Sequence, residues 1–261
     1  MHGATLSALV NAIGGAKVTG FFLVLARISP LFVLAPLFSS KMVPSQVRAV
    51  VAVGLAIGLT PIAVHGAQIP ISPFAVAGLL IEQLLVGLAF AYAVGAVFAA
   101  VEVAGGLADM IAGFSYGSLV DPVNGNPGGT LTNVYSLVGL AIFIAIGGDA
   151  WMLRGLARTF DLVPLTATAP IASLTTGVEA AFGSIFVSAI EIAAPALLAM
   201  LITDITLGMV SKVVPQLNVF AVGFAVKVGV AMLIVAASLP FISSLMSNQL
   251  SNAVTTALQT I

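Results

Sequence analysis

The chain is predicted to be an all-α, polytopic integral membrane helical protein, with about six hydrophobic segments, kinked helices and a long central Gly-rich loop. Three observations predict this class. First, 60% of the residues are hydrophobic and 7% are charged, with a mean hydropathy of +1.20, whereas a soluble domain carries about 25% charged residues. Second, the apolar runs recur from end to end, with no polar stretch long enough to fold alone, so one membrane domain over 1–261 is expected. Third, proline and glycine punctuate the runs where linkers would otherwise be sought.

The elements follow in order. Leu6, Leu9, Val10 and Ile13 share one helical face ahead of Gly14-Gly15, which predicts an interfacial or partner-packed N-terminal helix. No Lys or Arg precedes Lys17, a pattern unlike a cleavable signal peptide. Val18 to Phe38 contains Arg27, Pro30 and Pro36, so a helix here is kinked and its freed carbonyls need partners. Ala49 to Val64, ending near Pro61, is marginal for a full span. Between Glu82 and Glu102 lie 19 uncharged residues, enough helix to cross about 28 Å.

From about 104 to 133, seven glycines (105, 106, 113, 117, 125, 128 and 129) with Asp109, Asp121-Pro122 and Asn126-Pro127 predict a long irregular connection. Connections of that length inside compact domains are usually functional or disordered. Leu131 to Ile146 is a further apolar run, closed by Gly147-Gly148-Asp149. Trp151 to Thr176 reads as a short amphipathic helix and a turn-rich connector. Phe182 to Ile202 surrounds Glu191 and Pro195, and a polar hinge is expected over about 204–218. Val219 to Met246, interrupted by Lys227, is the last run, and the uncharged polar tail from Ser247 suits a short helix at a surface or partner. A positive-inside count is indecisive: alternate loops put Lys17, Arg154 and Arg158 on one face and Lys41, Arg48 and Lys212 on the other.

Composition also excludes functions. A net charge of −1 supplies no basic field for nucleic acid. The lack of cysteine removes disulfides and thiolate chemistry, and two distant histidines without acidic neighbours argue against a metal or general-base centre. The glycine-rich stretch lacks the Gly-Lys-Ser/Thr ending of a phosphate cradle. No cofactor and no metal is therefore expected. No paired acids or Ser-Lys dyad suggests an intramembrane enzyme.

Arg27, Glu191 and Lys227 lie within apolar runs, where an ionised group is costly unless paired or wetted. The readings are a proton relay, an internal salt bridge, and a run sitting in protein instead of lipid; the last two together are favoured, because one carboxylate and two cations make a poor relay. Gly54 with Gly58, Gly113 with Gly117, and the Gly87, Ala91, Gly95 face allow close backbone approach, between subunits or within the chain. The large apolar side chains of the central loop, Met110, Ile111, Phe114, Tyr116 and Leu119, could seal a pore by excluding water, or pack on their own bundle.

Three stretches carry a resemblance. Ala104-Gly105 through Gly113, Phe114-Ser115-Tyr116 and Val120-Asp121-Pro122 form one; Leu207-Gly208, Pro215-Gln216-Leu217-Asn218-Val219-Phe220 and Gly223-Phe224 form the second; Arg27-Ile28-Ser29-Pro30 with Pro44 and Arg48 form the third. In order and spacing the chain resembles the FliR family, the R subunit of the flagellar and type III secretion export gate. It departs from the family pattern at Asp149, where histidine is frequent, at Ser211-Lys212, where arginine or a basic pair is frequent, and at Ala225, where proline follows Gly-Phe.

The resemblance implies a membrane subunit of the bacterial flagellar basal body, in the inner (cytoplasmic) membrane. Its implied partners are P-type and Q-type export-gate subunits, a B-type switch subunit, an A-type export subunit, unfolded secreted substrates and membrane lipid. It implies a pore plug or gate drawn from Met110, Gly113, Phe114, Tyr116, Leu119, Asp121 and Pro122. It also implies a hinge or subunit contact drawn from Lys212, Pro215, Gln216, Asn218, Phe220, Gly223 and Phe224. No catalysed reaction is expected. The alternatives are an injectisome subunit of the same family, a small-solute secondary transporter using Glu191 or Arg27, and a scaffold that lines no pore.

Overall fold

The computed structural model describes residues 15–35, 38, 43–65, 69–70, 72–114, 129–168, 170–216 and 218–261. The described elements are helical: α1 (Gly15–Leu34), α2 (Ser45–Ala63), α3 (Pro73–Ala112), α4 (Thr130–Ala145), α5 (Gly148–Leu162), α6 (Ile171–Val213) and α7 (Val219–Thr260). By length and apolarity α1, α2, α3, α6 and α7 can each cross a membrane, and α4 with α5, bent by 70°, makes a sixth candidate. The expected amphipathic N-terminal helix over residues 6–13 lies outside the described residues.

The length of α3, α6 and α7 differs from expectation. At 40, 43 and 42 residues each runs about 60 Å, roughly twice a hydrocarbon core. Glu82 and Glu102 lie inside α3 instead of bounding it. The connection expected over about 104–133 is shorter, because Gly105 and Gly106 belong to α3 and Leu131 to α4. Gly105 is used for proximity: a Cβ there would stand 2.7 Å from the Thr132 Cα of α4. The hinge expected over about 204–218 also contracts, since α6 continues to Val213. Its hydroxyls stay within the helix, with Thr203, Thr206 and Ser211 donating to the carbonyls of Ala199, Ile202 and Gly208. The polar tail is likewise no separate short helix but the last turns of α7.

The carbonyl freed by Pro30 finds the partner it requires. Pro30 inside α1 cannot bond the Ala26 carbonyl, and the Ser29 hydroxyl donates to that oxygen at 3.1 Å.

The chain forms two compact units, each assembled from separate stretches. The first comprises Met1–Gly95, Asp149–Ala181 and Ser251–Ile261. Within it α1 packs on α2, and the α3 face Gly87, Ala91, Gly95 packs on α1: a Cβ on Gly87 would collide with the Arg27 carbonyl, and one on Gly95 would lie 3.3 Å from that of Leu34. This small-residue face therefore serves contacts within the chain. Gly54 and Gly58 of α2 instead meet no other part of the described structure: beyond their own helix, no atom of the described residues lies within 4 Å of where a Cβ would stand. The amphipathic α5 buries Met152, Leu156 and Phe160 and exposes Arg154 and Arg158. Its exposed Asp149 occupies the first turn, where a carboxylate suits the helix dipole. Val254 and Ala257, in this unit's last stretch, are buried, and Val254 packs beside Gly155 and Phe90.

The second unit comprises Ala96–Gly148 and Phe182–Leu250. Its core includes Phe98, Ala108, Tyr135, Phe143, Ile192 and Ile242. The rings of Phe98 and Phe143 pack with centroids 4.9 Å apart. Gly147 takes φ +69, the left-handed conformation that ends α4 and turns the chain into α5. Phe182, Phe186, Ile190, Leu198, Leu201 and Ile205 stand exposed along α6. An apolar surface of that extent belongs to lipid or to other subunits.

Candidate functional site

Two of the sequence stretches singled out above, the end of the first glycine-rich motif and the Gly-Phe motif after the hinge, meet in the second unit. α3 closes at Ala112 with Gly113 at φ +87, and the amides of Gly113 and Phe114 both donate to the Asp109 carbonyl at 3.1 Å. This closure joins the 6→1 bond of a Schellman motif to the 5→1 bond of an αL cap, and both require the left-handed residue that glycine supplies without steric cost. The turn delivers Phe114 edge-on to Phe224 of α7, ring centroids 5.5 Å apart.

Charge fixes the same helix end. One turn beyond Phe224, Lys227 reaches the Ile111 carbonyl at 3.3 Å and Asp204 of α6 at 2.6 Å. A cation at a helix C-terminus satisfies orphan carbonyls and opposes the dipole.

On the other side of the connection, Asp109 holds the start of α4. Its carboxylate, 2% exposed, accepts from the Leu131 amide at 2.8 Å, the Thr132 amide at 2.7 Å and the Thr132 hydroxyl. These are the first amides of α4, which have no partners within their own helix. Gly129, the N-cap, makes no side-chain cap bond, and any Cβ there would collide with the Asp109 carboxylate. Asp109 is thus a cap supplied from another helix. Sequence reasoning read it only as loop punctuation, because a cap 22 residues away leaves no local signature.

The remaining candidates fall as follows. Met110, on the last turn of α3, is 73% exposed. Tyr116, Leu119, Asp121 and Pro122 lie outside the described residues. Lys212 is exposed in the last turn of α6, favourable for the dipole, and Pro215 and Gln216 are exposed beyond it. Asn218 stands just before α7, its side-chain oxygen accepting from the Ala221 amide at 3.2 Å. Phe220 lies in the first turn of α7, and its side chain is outside the described part of the structure. Gly223 is buried, where a Cβ would meet Leu207 at 3.3 Å.

The three apolar-run charges separate. Lys227 has the expected salt bridge, with Asp204 as partner. Glu191 is exposed on α6. Arg27, in the first unit, is fully buried and meets no carboxylate among the described residues. It sits in protein, as one reading expected, but its partners are neutral. Nε donates to Gln83 Oε1, Nη1 to the Thr159 carbonyl and Nη2 to the Val163 carbonyl, each at 2.7 Å, and the guanidinium carbon lies 4.5 Å from the Phe160 ring centre. Gln83 passes the network on, donating to the Leu165 carbonyl at 3.1 Å. The arginine therefore caps the end of α5 and ties the following connector to α1 and α3. Gln83, a polar residue in an apolar run, was the overlooked signal.

Among the described residues no group of three or more His, Cys, Asp or Glu side chains is placed to hold a metal.

Comparison with known proteins adds the following. Residues 18–253 match the family described as bacterial export proteins, family 1. The chain is 29% identical over 228 residues to the flagellar biosynthetic protein FliR of Pectobacterium carotovorum, covering 86% of each chain. It is 30% identical over 230 residues to the FliR of Bacillus subtilis, covering 85% of this chain and 87% of that one. It is 26% identical over 211 residues to the surface presentation of antigens protein SpaR of Salmonella typhimurium, covering 80% and 78%.

Proposed function

The chain belongs to the bacterial export proteins, family 1, and from that premise we infer the role of its parts. It is a multi-pass membrane subunit of a type III protein export gate, of the flagellar or injectisome kind, and not a small-solute transporter. Our reading goes further on three points. The apparatus is flagellar and the membrane is the bacterial inner membrane. The exposed apolar faces of the long helices are covered by P-type and Q-type subunits, with the B-type switch subunit and the A-type export subunit adjoining. The segment between α3 and α4 seals the secretion pore, with Phe114, Tyr116 and Leu119 carrying the seal, Met110 at its root, Gly113 giving it a pivot, and Asp121-Pro122 shaping its far end. The stretch from Lys212 to Phe224, the end of α6, the short connection and the start of α7, contacts neighbouring subunits.

The observation that carries the seal reading is the seating of Phe114 on Phe224, since it joins the two motifs through one apolar contact at the root of the segment. Large apolar side chains at a constriction exclude water and, with it, ions. Unfolded export substrates pass when the seal parts. The chain itself catalyses no reaction in this reading, and the energy for export comes from elsewhere in the apparatus.

The test is ion conductance of the purified assembled complex in a planar bilayer. Replacing Phe114 and Tyr116 together by glycine is expected to make the closed complex conduct small ions, while the complex still assembles. Conductance equal to that of the parent would remove the seal from this segment.

A further inference from the structure

Lys227 and Asp204 have no part in the seal as described, yet they converge on its root. Lys227 lies on the face of α7 that carries Phe224, three residues earlier, so the two side chains address the same neighbour. That neighbour is the end of α3: the ammonium meets the Ile111 carbonyl at 3.3 Å, and the Phe224 ring meets Phe114 at 5.5 Å. Asp204 holds the ammonium at 2.6 Å from the third helix, α6. The arrangement is only partly open, the lysine side chain being 19% exposed and the aspartate 45%. Both sit in long apolar helices, where an unpaired charge is unfavourable, so each stabilises the presence of the other. One turn further along, Leu207 of α6 abuts Gly223 of α7, keeping the helices that carry the ion pair in register.

We propose that Lys227, held by Asp204, is a positioning residue for the seal: it pins the C-terminus of α3 and so decides where Phe114 leaves the helix and meets Phe224. The proposal rests on the reading of Phe114 as a seal residue. Arginine at 227 retains a cationic donor for both acceptors, whereas methionine keeps length and apolarity and removes the charge.

The test is hydrogen exchange in the purified complex, followed by mass spectrometry at the Gly113 and Phe114 amides, whose hydrogen bonds to Asp109 report the closure of α3. Lys227→Met and Asp204→Asn are each expected to speed that exchange about tenfold, while Lys227→Arg stays near the parent. The same neutral variants are expected to leak ions with Phe114 intact. Exchange in Lys227→Met and Asp204→Asn within about twofold of the parent would overturn the proposal. If Lys227→Met fails to assemble, Asp204→Asn decides alone. Faster exchange with no leak, in these variants and in the double glycine variant alike, would keep the positioning role and remove the seal reading. A leaking double glycine variant with unchanged exchange in Lys227→Met would do the reverse.

Discussion

Replacing Arg27 by methionine separates a structural arginine from one that acts directly in export. The side chain is fully buried, and its three 2.7 Å hydrogen bonds end on Gln83 Oε1 and on the carbonyls of Thr159 and Val163. Methionine fills most of the volume but leaves three buried acceptors without a donor, each costing about 1–3 kcal/mol. The Thr159 carbonyl already accepts from the Val163 amide at 3.0 Å, which trims the total. The guanidinium no longer has to be desolvated in the variant, which offsets a further share. A net loss of about 3–5 kcal/mol remains from the stranded acceptors. In a chain of this size that is on the order of a 10 °C fall in melting temperature. Lysine at 27 is expected to recover less than half, because a single ammonium cannot serve three acceptors spread along a fork. The assay is thermal unfolding of the detergent-purified complex, with export measured in parallel. Export abolished at an unchanged melting temperature would refute the structural argument and give the charge a direct part in export.

Two further contacts give their own expected outcomes. Asp109→Ala strands the Leu131 and Thr132 amides of α4 and is expected to destabilise by about 2–3 kcal/mol, with Asp109→Asn near half of that; limited proteolysis between α3 and α4 should report it, and equal cleavage rates in all three proteins would count against the cap. Gly87→Ala places a Cβ against the Arg27 carbonyl and should cost about 1–3 kcal/mol by forcing α1 from α3. By contrast Gly58→Ala, with no described atom beyond its own helix within 4 Å, should be neutral or slightly stabilising through helix propensity, within about 1 kcal/mol. Melting temperatures of the two glycine variants that do not differ would refute the close-packing account.

Legibility in the sequence followed the range of the interaction that carried each feature. The close of the apolar run at Gly147-Gly148 and the amphipathic α5 were readable because each is decided by residues within a turn or two. The ends of the central connection and of the hinge were misplaced for the opposite reason. Gly105 looks like a loop residue until Thr132 is set against it, and Thr206 to Ser211 look like a hinge until their hydroxyls are seen bonding inside α6. At the candidate site the sequence offered Phe114 and Phe224 in separate motifs, and nothing in either predicted that the two rings meet.

By itself, then, the sequence determined that this is a multi-pass helical membrane protein, where its apolar segments lie, and which export family it resembles; these are properties of composition, periodicity and motif order, all local or additive along the chain. Only the tertiary structure decided what three polar residues of the apolar helices are for. Arg27 answers to Gln83 and two carbonyls of the α5 end, Asp109 to the amides of α4, and Lys227 to Asp204 and Ile111. In a medium without water every such group must find a partner inside the protein. These partners lie between 22 and 136 residues apart in the chain, so their pairing is a property of the folded backbone, which brings together groups that the sequence keeps apart.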